Sequence, residues 1–109
     1  MTTITTHVLD TARGRPAAGI PVILERAAGD RWEHVGSAAT DGDGRVRELG
    51  PPGPEPAGRY RLTFDTGAYL GNDAFYPQVS VDFRVEEGED HYHVPLLLSP
   101  YGYSTYRGS

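Results

Sequence analysis

Apolar and polar residues alternate along most of this chain, and that alternation confines it to strands. Val79, Val81, Phe83 and Val85 interleave with Ser80, Asp82, Arg84 and Glu86, and Tyr60, Leu62 and Phe64 with Arg61, Thr63 and Asp65. A period of two puts one set of side chains on a buried face and the other in water, which a helix of about 3.6 residues per turn cannot do. The same pattern marks Ile4 to Asp10, Ile20 to Arg26, Trp32 to Ala39, His91 to Ser99 and Tyr101 to Ser109. Breakers stand between these runs: Ala12 to Pro16, Thr40 to Gly44, the Pro/Gly-rich stretch from Gly50 to Pro56, Glu86 to Asp90, and Ser99-Pro100. Asp-Gly pairs supply the positive φ of tight turns, and proline denies the backbone a donor. Only Tyr69 to Phe75 could hold a short helix, stopped by Pro77. Seven to eight short strands at this spacing predict an all-β, two-sheet antiparallel sandwich with one short helix. Leu96-Leu97-Leu98 is apolar on both faces, so its second face needs cover, for which another subunit is a candidate.

Length and composition narrow the chemistry. At 109 residues the chain suits a single domain, residues 1–109, able to bury roughly 60% of its unfolded surface. There is no cysteine, which removes disulfides, thiolate catalysis and Cys-ligated zinc. The net charge of −5 argues against nucleic acid as a partner. All ten basic residues are arginine, so no Schiff base can form and every fixed positive charge is a guanidinium, suited to planar oxyanions. No apolar run approaches the roughly 18 residues of a membrane span. Met1 to Thr6 lacks the basic and apolar regions of a secretory signal, so a soluble, cytoplasmic protein is expected.

The chain carries His7, His34, His91 and His93. Histidine moves protons near neutral pH. His7 shares a strand face with Thr5 and Leu9, and His91 and His93 share one face of a later strand. His-x-His could give a zinc ion two ligands, but strand alternation alone would pair these residues. Ser99, Ser104 and Ser109 lie near the end without a Gly-x-Ser-x-Gly elbow, and Gly42 and Gly44 have neither the lysine nor the helix of a phosphate loop. Arg45 reads either as a site cation or as an exposed arginine balancing Asp41 and Asp43. The C-terminal stretch, with Tyr101, Tyr103, Tyr106 and Arg107, is too aromatic for a frayed end and is expected to be packed as a strand.

These residues resemble a known family. Thr5-Thr6-His7-Val8-Leu9-Asp10-Thr11 with Gly14-Arg15-Pro16-Ala17, Thr40-Asp41-Gly42-Asp43-Gly44-Arg45 and Phe75-Tyr76-Pro77 resemble motifs of the transthyretin-like proteins. The stretch from His91 to Pro100 and on through Tyr103 to Ser109 is similar to the C-terminal signature of the 5-hydroxyisourate hydrolases within that family. The segment from Gly50 to Gly58 matches nothing in that pattern. The resemblance implies a homotetramer, a dimer of dimers with sites at subunit interfaces. It also implies cofactor-free hydrolysis of the small molecule 5-hydroxyisourate in urate degradation, with no metal. By position, His7, Arg45 and His93 match the family's catalytic residues. The first and last of these would handle protons and Arg45 the oxyanion. Tyr106, Arg107, Gly108 and Ser109 match the terminal substrate-binding signature, with Gly108 admitting close approach. His91 has no counterpart. The alternative within the family is a small-ligand carrier without turnover.

Overall fold

Each alternating run becomes a strand, and the strands form two sheets whose apolar faces meet. The structure, a computed structural model, describes residues 3–50 and 55–109. The strands are β1 (Thr3–Asp10), β2 (Arg15–Pro16), β3 (Pro21–Ala28), β4 (Arg31–Ala39), β5 (Arg45–Val46), β6 (Gly58–Phe64), β7 (Val79–Val85), β8 (His91–Ser99) and β9 (Gly102–Thr105). One sheet runs β2-β1-β8-β9, with β5 also paired to β1, and the other runs β4-β3-β6-β7. The core between them is built from inward residues such as Ile4, Leu24, Tyr60, Phe64 and Leu96, all essentially inaccessible to water. Residues 51–54, which carry most of the Pro/Gly-rich segment, lie outside the described residues.

Three expectations change. The pairing is not uniformly antiparallel: β1 and β8 run parallel, from Thr3 opposite His91 to Asp10 opposite Leu98. The chain passes through the second sheet between them, so no hairpin dictates their sense. The helix forms earlier and is shorter than expected, at α1 (Gly67–Leu70) followed by a 3-10 turn at Gly71–Asp73. Thr66 Oγ1 donates to the Tyr76 carbonyl at 2.6 Å and the Gly67 amide to that of Pro77 at 2.8 Å, which folds the segment back on itself. The last strand stops at Thr105 rather than reaching Ser109.

That stop has a local cause. In the β8–β9 register Thr105 lies opposite Leu96, so the next pair would need a donor from Pro95, which has none. The Thr105 hydroxyl instead donates to the Pro95 carbonyl at 2.6 Å. The ladder resumes in the same register at an isolated bridge between His93 and Gly108, where the Gly108 amide donates to the His93 carbonyl at 2.8 Å. The C-terminal stretch is thus held to β8 by hydrogen bonds without being a continuous strand, and against expectation Tyr101, Tyr103 and Tyr106 stay exposed. Of the three leucines on β8, Leu96 and Leu98 fill the core. Leu97 faces outward, half-buried, beside Leu9.

Candidate active site

The odd-numbered residues of β1 and β8 face outward, and this face carries the titratable groups. Strand β1 lies between β5 and β8: His7 pairs with Arg45 on one side, and Thr5 with His93 on the other. Register alone therefore draws His7, Arg45 and His93 from three distant parts of the sequence onto one surface. A cavity of about 440 Å³ opens there, lined by Thr5, Thr6, Arg45, Val46, Arg47, His91, His93 and Ser109. His7 sits on the same face, paired with Arg45, but is not among the residues that line the cavity.

The turn before β5 fixes Arg45. Gly44 takes a φ of 75°, and its amide donates to the Asp41 carbonyl at 2.9 Å. The Asp41 carboxylate accepts the amides of Asp43 at 2.9 Å and Arg45 at 3.0 Å. The Arg45 amide, with help from the Asp43 amide and the Arg47 and Arg45 charges, holds the Asp41 carboxyl below its usual range despite some desolvation. Arg47, not Arg45, forms the ion pairs with the acids of this turn, at 3.8 Å from Asp41 and 3.7 Å from Asp43. The reading of Arg45 as their exposed counter-charge is therefore corrected. Its guanidinium is half-buried and has no carboxylate partner among the described residues. An unpaired guanidinium lining a cavity is a ready anion or oxyanion site.

Hydrogen bonds decide how the histidines are presented. His7 Nε2 lies 2.9 Å from the Asp43 carbonyl, which can only accept, so Nε2 carries the hydrogen and the neutral ring keeps its lone pair on Nδ1. His93 Nδ1 lies 2.8 Å from Thr5 Oγ1, and its Nε2 has no partner among the described residues. Desolvation, followed by the nearby charges of Arg45, His91 and His7, pushes the His93 imidazole below its usual 6.5. It is therefore held neutral near pH 7, as a base must be. Among the described residues no three histidine or acidic side chains converge as a metal-ligand set.

The terminal residues divide. Ser109 lines the cavity, and Gly108 lies against the His93 ring, where a Cβ would meet the ring's Cδ2 at 2.6 Å. The close approach expected at Gly108 is thus to His93. Tyr106 and Arg107 line a different cavity, of about 340 Å³, with Tyr92, Val94 and Phe83. The Arg107 guanidinium stacks 4.6 Å from the Tyr92 ring centre and lies 3.5 Å from Glu89. Within one chain Arg107 therefore does not stand beside Arg45, because position 107 falls opposite the inward-facing Val94. His34 is exposed on β4, in the other sheet. Thr5 and His91 are site residues that the sequence reading did not assign, although both share a face with residues it did.

Fold and site together define a transthyretin-type sandwich bearing a histidine–arginine cavity on the outer face of one sheet. Residues 4–108 match the family model described as the HIUase/Transthyretin family. The chain is 48% identical over 114 residues to a 5-hydroxyisourate hydrolase of Mesorhizobium japonicum, covering 97% of this chain and 91% of that one. Among solved structures it is similar to the 5-hydroxyisourate hydrolase of Klebsiella pneumoniae, with a TM-score of 0.87 and 40% identity over the whole of both chains. It is also similar to sea bream transthyretin in complex with thyroxine, with a TM-score of 0.89 and 32% identity, covering 97% of this chain and 94% of that one. The chain belongs to the HIUase/Transthyretin family.

Proposed function

We propose that this chain hydrolyses 5-hydroxyisourate to 2-oxo-4-hydroxy-4-carboxy-5-ureidoimidazoline in urate degradation, acting as a cyclic amide hydrolase without metal or organic cofactor. The observation that carries this reading is an unpaired guanidinium, Arg45, sharing one cavity with a histidine, His93, that is held neutral. Hydrolysis of a ring carbonyl needs a base for water and a positive group for the oxyanion. His93 Nε2 takes a proton from water as the water oxygen bonds to the ring carbonyl carbon. The charge that develops on the carbonyl oxygen falls to Arg45. The carbon–nitrogen bond then breaks, and the proton returns to the leaving nitrogen. His7, fixed by Asp43 with its lone pair on Nδ1, is the second proton-handling group, and Ser109 orients the ring.

Arg107 serves this site by anchoring the terminal residues. Arg107 clamps the tail to Tyr92 and Glu89, so that Gly108 bridges His93 and Ser109 reaches the cavity. The functional assembly is a homotetramer, a dimer of dimers of one-domain chains in the cytoplasm, in which a neighbouring subunit closes the outward face beside Leu9 and Leu97. Among the described residues no helix is long and apolar enough to cross a membrane. Freshly generated 5-hydroxyisourate, followed by its ultraviolet decay, tests the reading: added protein should outpace the spontaneous reaction. Saturable binding of the compound with no acceleration would instead favour a small-ligand carrier, as the likeness to a transthyretin solved in complex with thyroxine allows.

A further inference from the structure

His91 and Thr5 remain unexplained by the scheme above, yet both line the cavity. Thr5 Oγ1 lies 2.8 Å from His93 Nδ1 and 3.2 Å from His91 Nε2, and Thr3 Oγ1 lies 2.6 Å from His91 Nδ1. The two imidazoles are near-parallel, at an angle of 13° with centres 6.3 Å apart. Thr3, His91, Thr5 and His93 thus form one unbroken hydrogen-bonded chain from the exposed start of β1 into the cavity.

A hydroxyl has one hydrogen, and that limits the arrangements. With both rings neutral, Thr5 can accept from one ring and donate to the other. If His93 Nδ1–H donates to Thr5, whose second lone pair could also accept from His91, the arrangement that continues the chain has Thr5 donating to His91 Nε2 and His91 Nδ1–H donating to Thr3. In that arrangement His93 keeps its lone pair on Nε2, the atom with no protein partner among the described residues. The opposite arrangement puts the hydrogen on His93 Nε2 and makes it useless as a base.

We propose that Thr5 and His91 are positioning residues that present His93 as a base and take up the charge it gains. The proposal rests on the hydrolase reading. When His93 Nε2 has taken the water proton, the Nδ1–H bond breaks as a bond to Thr5 Oγ1 forms. The Thr5 O–H bond breaks as His91 Nε2–H forms. His93 is then neutral with its hydrogen on Nε2, and the positive charge sits on the exposed His91. The reverse shift restores the Nδ1 hydrogen as Nε2 gives its proton to the leaving nitrogen. No proton is gained or lost, and no co-reactant is needed. The groups that bear on His93 electrostatically are Arg45, His91 and His7, all positive or able to become so, and they oppose a positive charge left on His93.

Two measurements test this. In the resting protein, ¹⁵N spectra of the imidazoles should show His93 protonated on Nδ1, and Thr5→Val should shift that hydrogen towards Nε2 while Thr5→Ser should not. A His93 already protonated on Nε2 in the unsubstituted protein contradicts the proposal. In the turnover assay, Thr5→Val and His91→Gln should each lower kcat by about 10-fold or more with little change in KM, the scale of lost orienting contacts behind a working histidine. Glutamine keeps a hydrogen-bonding partner for Thr5 but cannot hold the proton, so added imidazole should raise kcat of His91→Gln and leave the unsubstituted protein unaffected. A His91→Gln protein with full kcat and no response to imidazole overturns the relay. The spectra are taken without substrate, so a protein that shows the tautomer but no turnover contradicts the hydrolase reading and not the hydrogen-bonded chain.

Discussion

Gly108→Ala should cripple the site without unfolding the protein. Gly108 has no unusual backbone angle that only glycine tolerates; what requires glycine is the His93 ring. A Cβ built there lies 2.6 Å from His93 Cδ2, 3.2 Å from Cγ and 3.3 Å from Cβ. Reaching an ordinary carbon–carbon contact of about 3.5 Å takes roughly 0.9 Å of movement. The ring cannot yield cheaply, because its far side is held by Thr5 at 2.8 Å. If the terminal residues yield instead, the Gly108–His93 backbone bond at 2.8 Å is lost and Ser109 moves out of the cavity. Either way a proton-transfer group or its neighbour moves by about 1 Å, a displacement that costs on the order of 100-fold in rate. The ultraviolet assay should show kcat lowered on that scale, with the melting transition little changed because the bridge ties down only the chain end. Turnover within about threefold of the unsubstituted protein would refute the claim that Gly108 sets His93, since that displacement should cost far more.

The remaining expectations concern pH, the guanidinium and the tail. Because His93 is held below 6.5, kcat/KM should fall on the acid side with a midpoint below that value; a midpoint above it would remove His93 as the neutral base. Stability follows the same sign. His93 costs nothing above 6.5, where folded and unfolded forms are both neutral, and stability is lost as pH falls from 6.5 through the folded value, which denaturant titrations at several pH values can read; His93→Gln should flatten that loss. Arg45→Ala should lower kcat by at least about 100-fold, as for a lost oxyanion donor, whereas Arg47→Ala, which touches the turn acids, should cost far less; equal losses would undo the distinction. Removing residues 107–109 should abolish turnover and leave a folded tetramer by light scattering, whereas full activity in that truncation would show that the terminal residues are dispensable.

Much of the fold was legible because alternation reports burial directly. The bounds of β7 follow from it, since Val79 to Val85 alternate without interruption, whereas in β8 the alternation breaks at Pro95 and Leu96 to Leu98 and the turn residues on either side mark the ends. What alternation does not encode is pairing. Nothing local in Ile4 to Asp10 says that it lies parallel to a strand more than eighty residues away, or that a two-residue strand at Arg45–Val46 pairs with its other edge. The site was partly legible for the same reason: the faces of His7, His91 and His93 follow from spacing, but their meeting with Arg45 depends on register. The tail shows a subtler limit. Its tyrosines suggested a packed end, yet all three are exposed, Pro95 on the facing strand interrupts the ladder, and the resumed register sends Arg107 to one face and Gly108 to the other. Arg45 was ambiguous in sequence because Arg47 is an equally good partner for Asp41 and Asp43, and only geometry shows which arginine they take.

The most direct test compares the unsubstituted protein with His93→Ala on the same freshly generated 5-hydroxyisourate at neutral pH. The unsubstituted protein should accelerate ultraviolet decay well beyond the spontaneous rate, and His93→Ala should lose at least about 100-fold of kcat, the low end for a removed proton-transfer group. Decay no faster than the spontaneous reaction with either protein, or equal acceleration by both, would contradict a hydrolase built on the His93–Arg45 cavity.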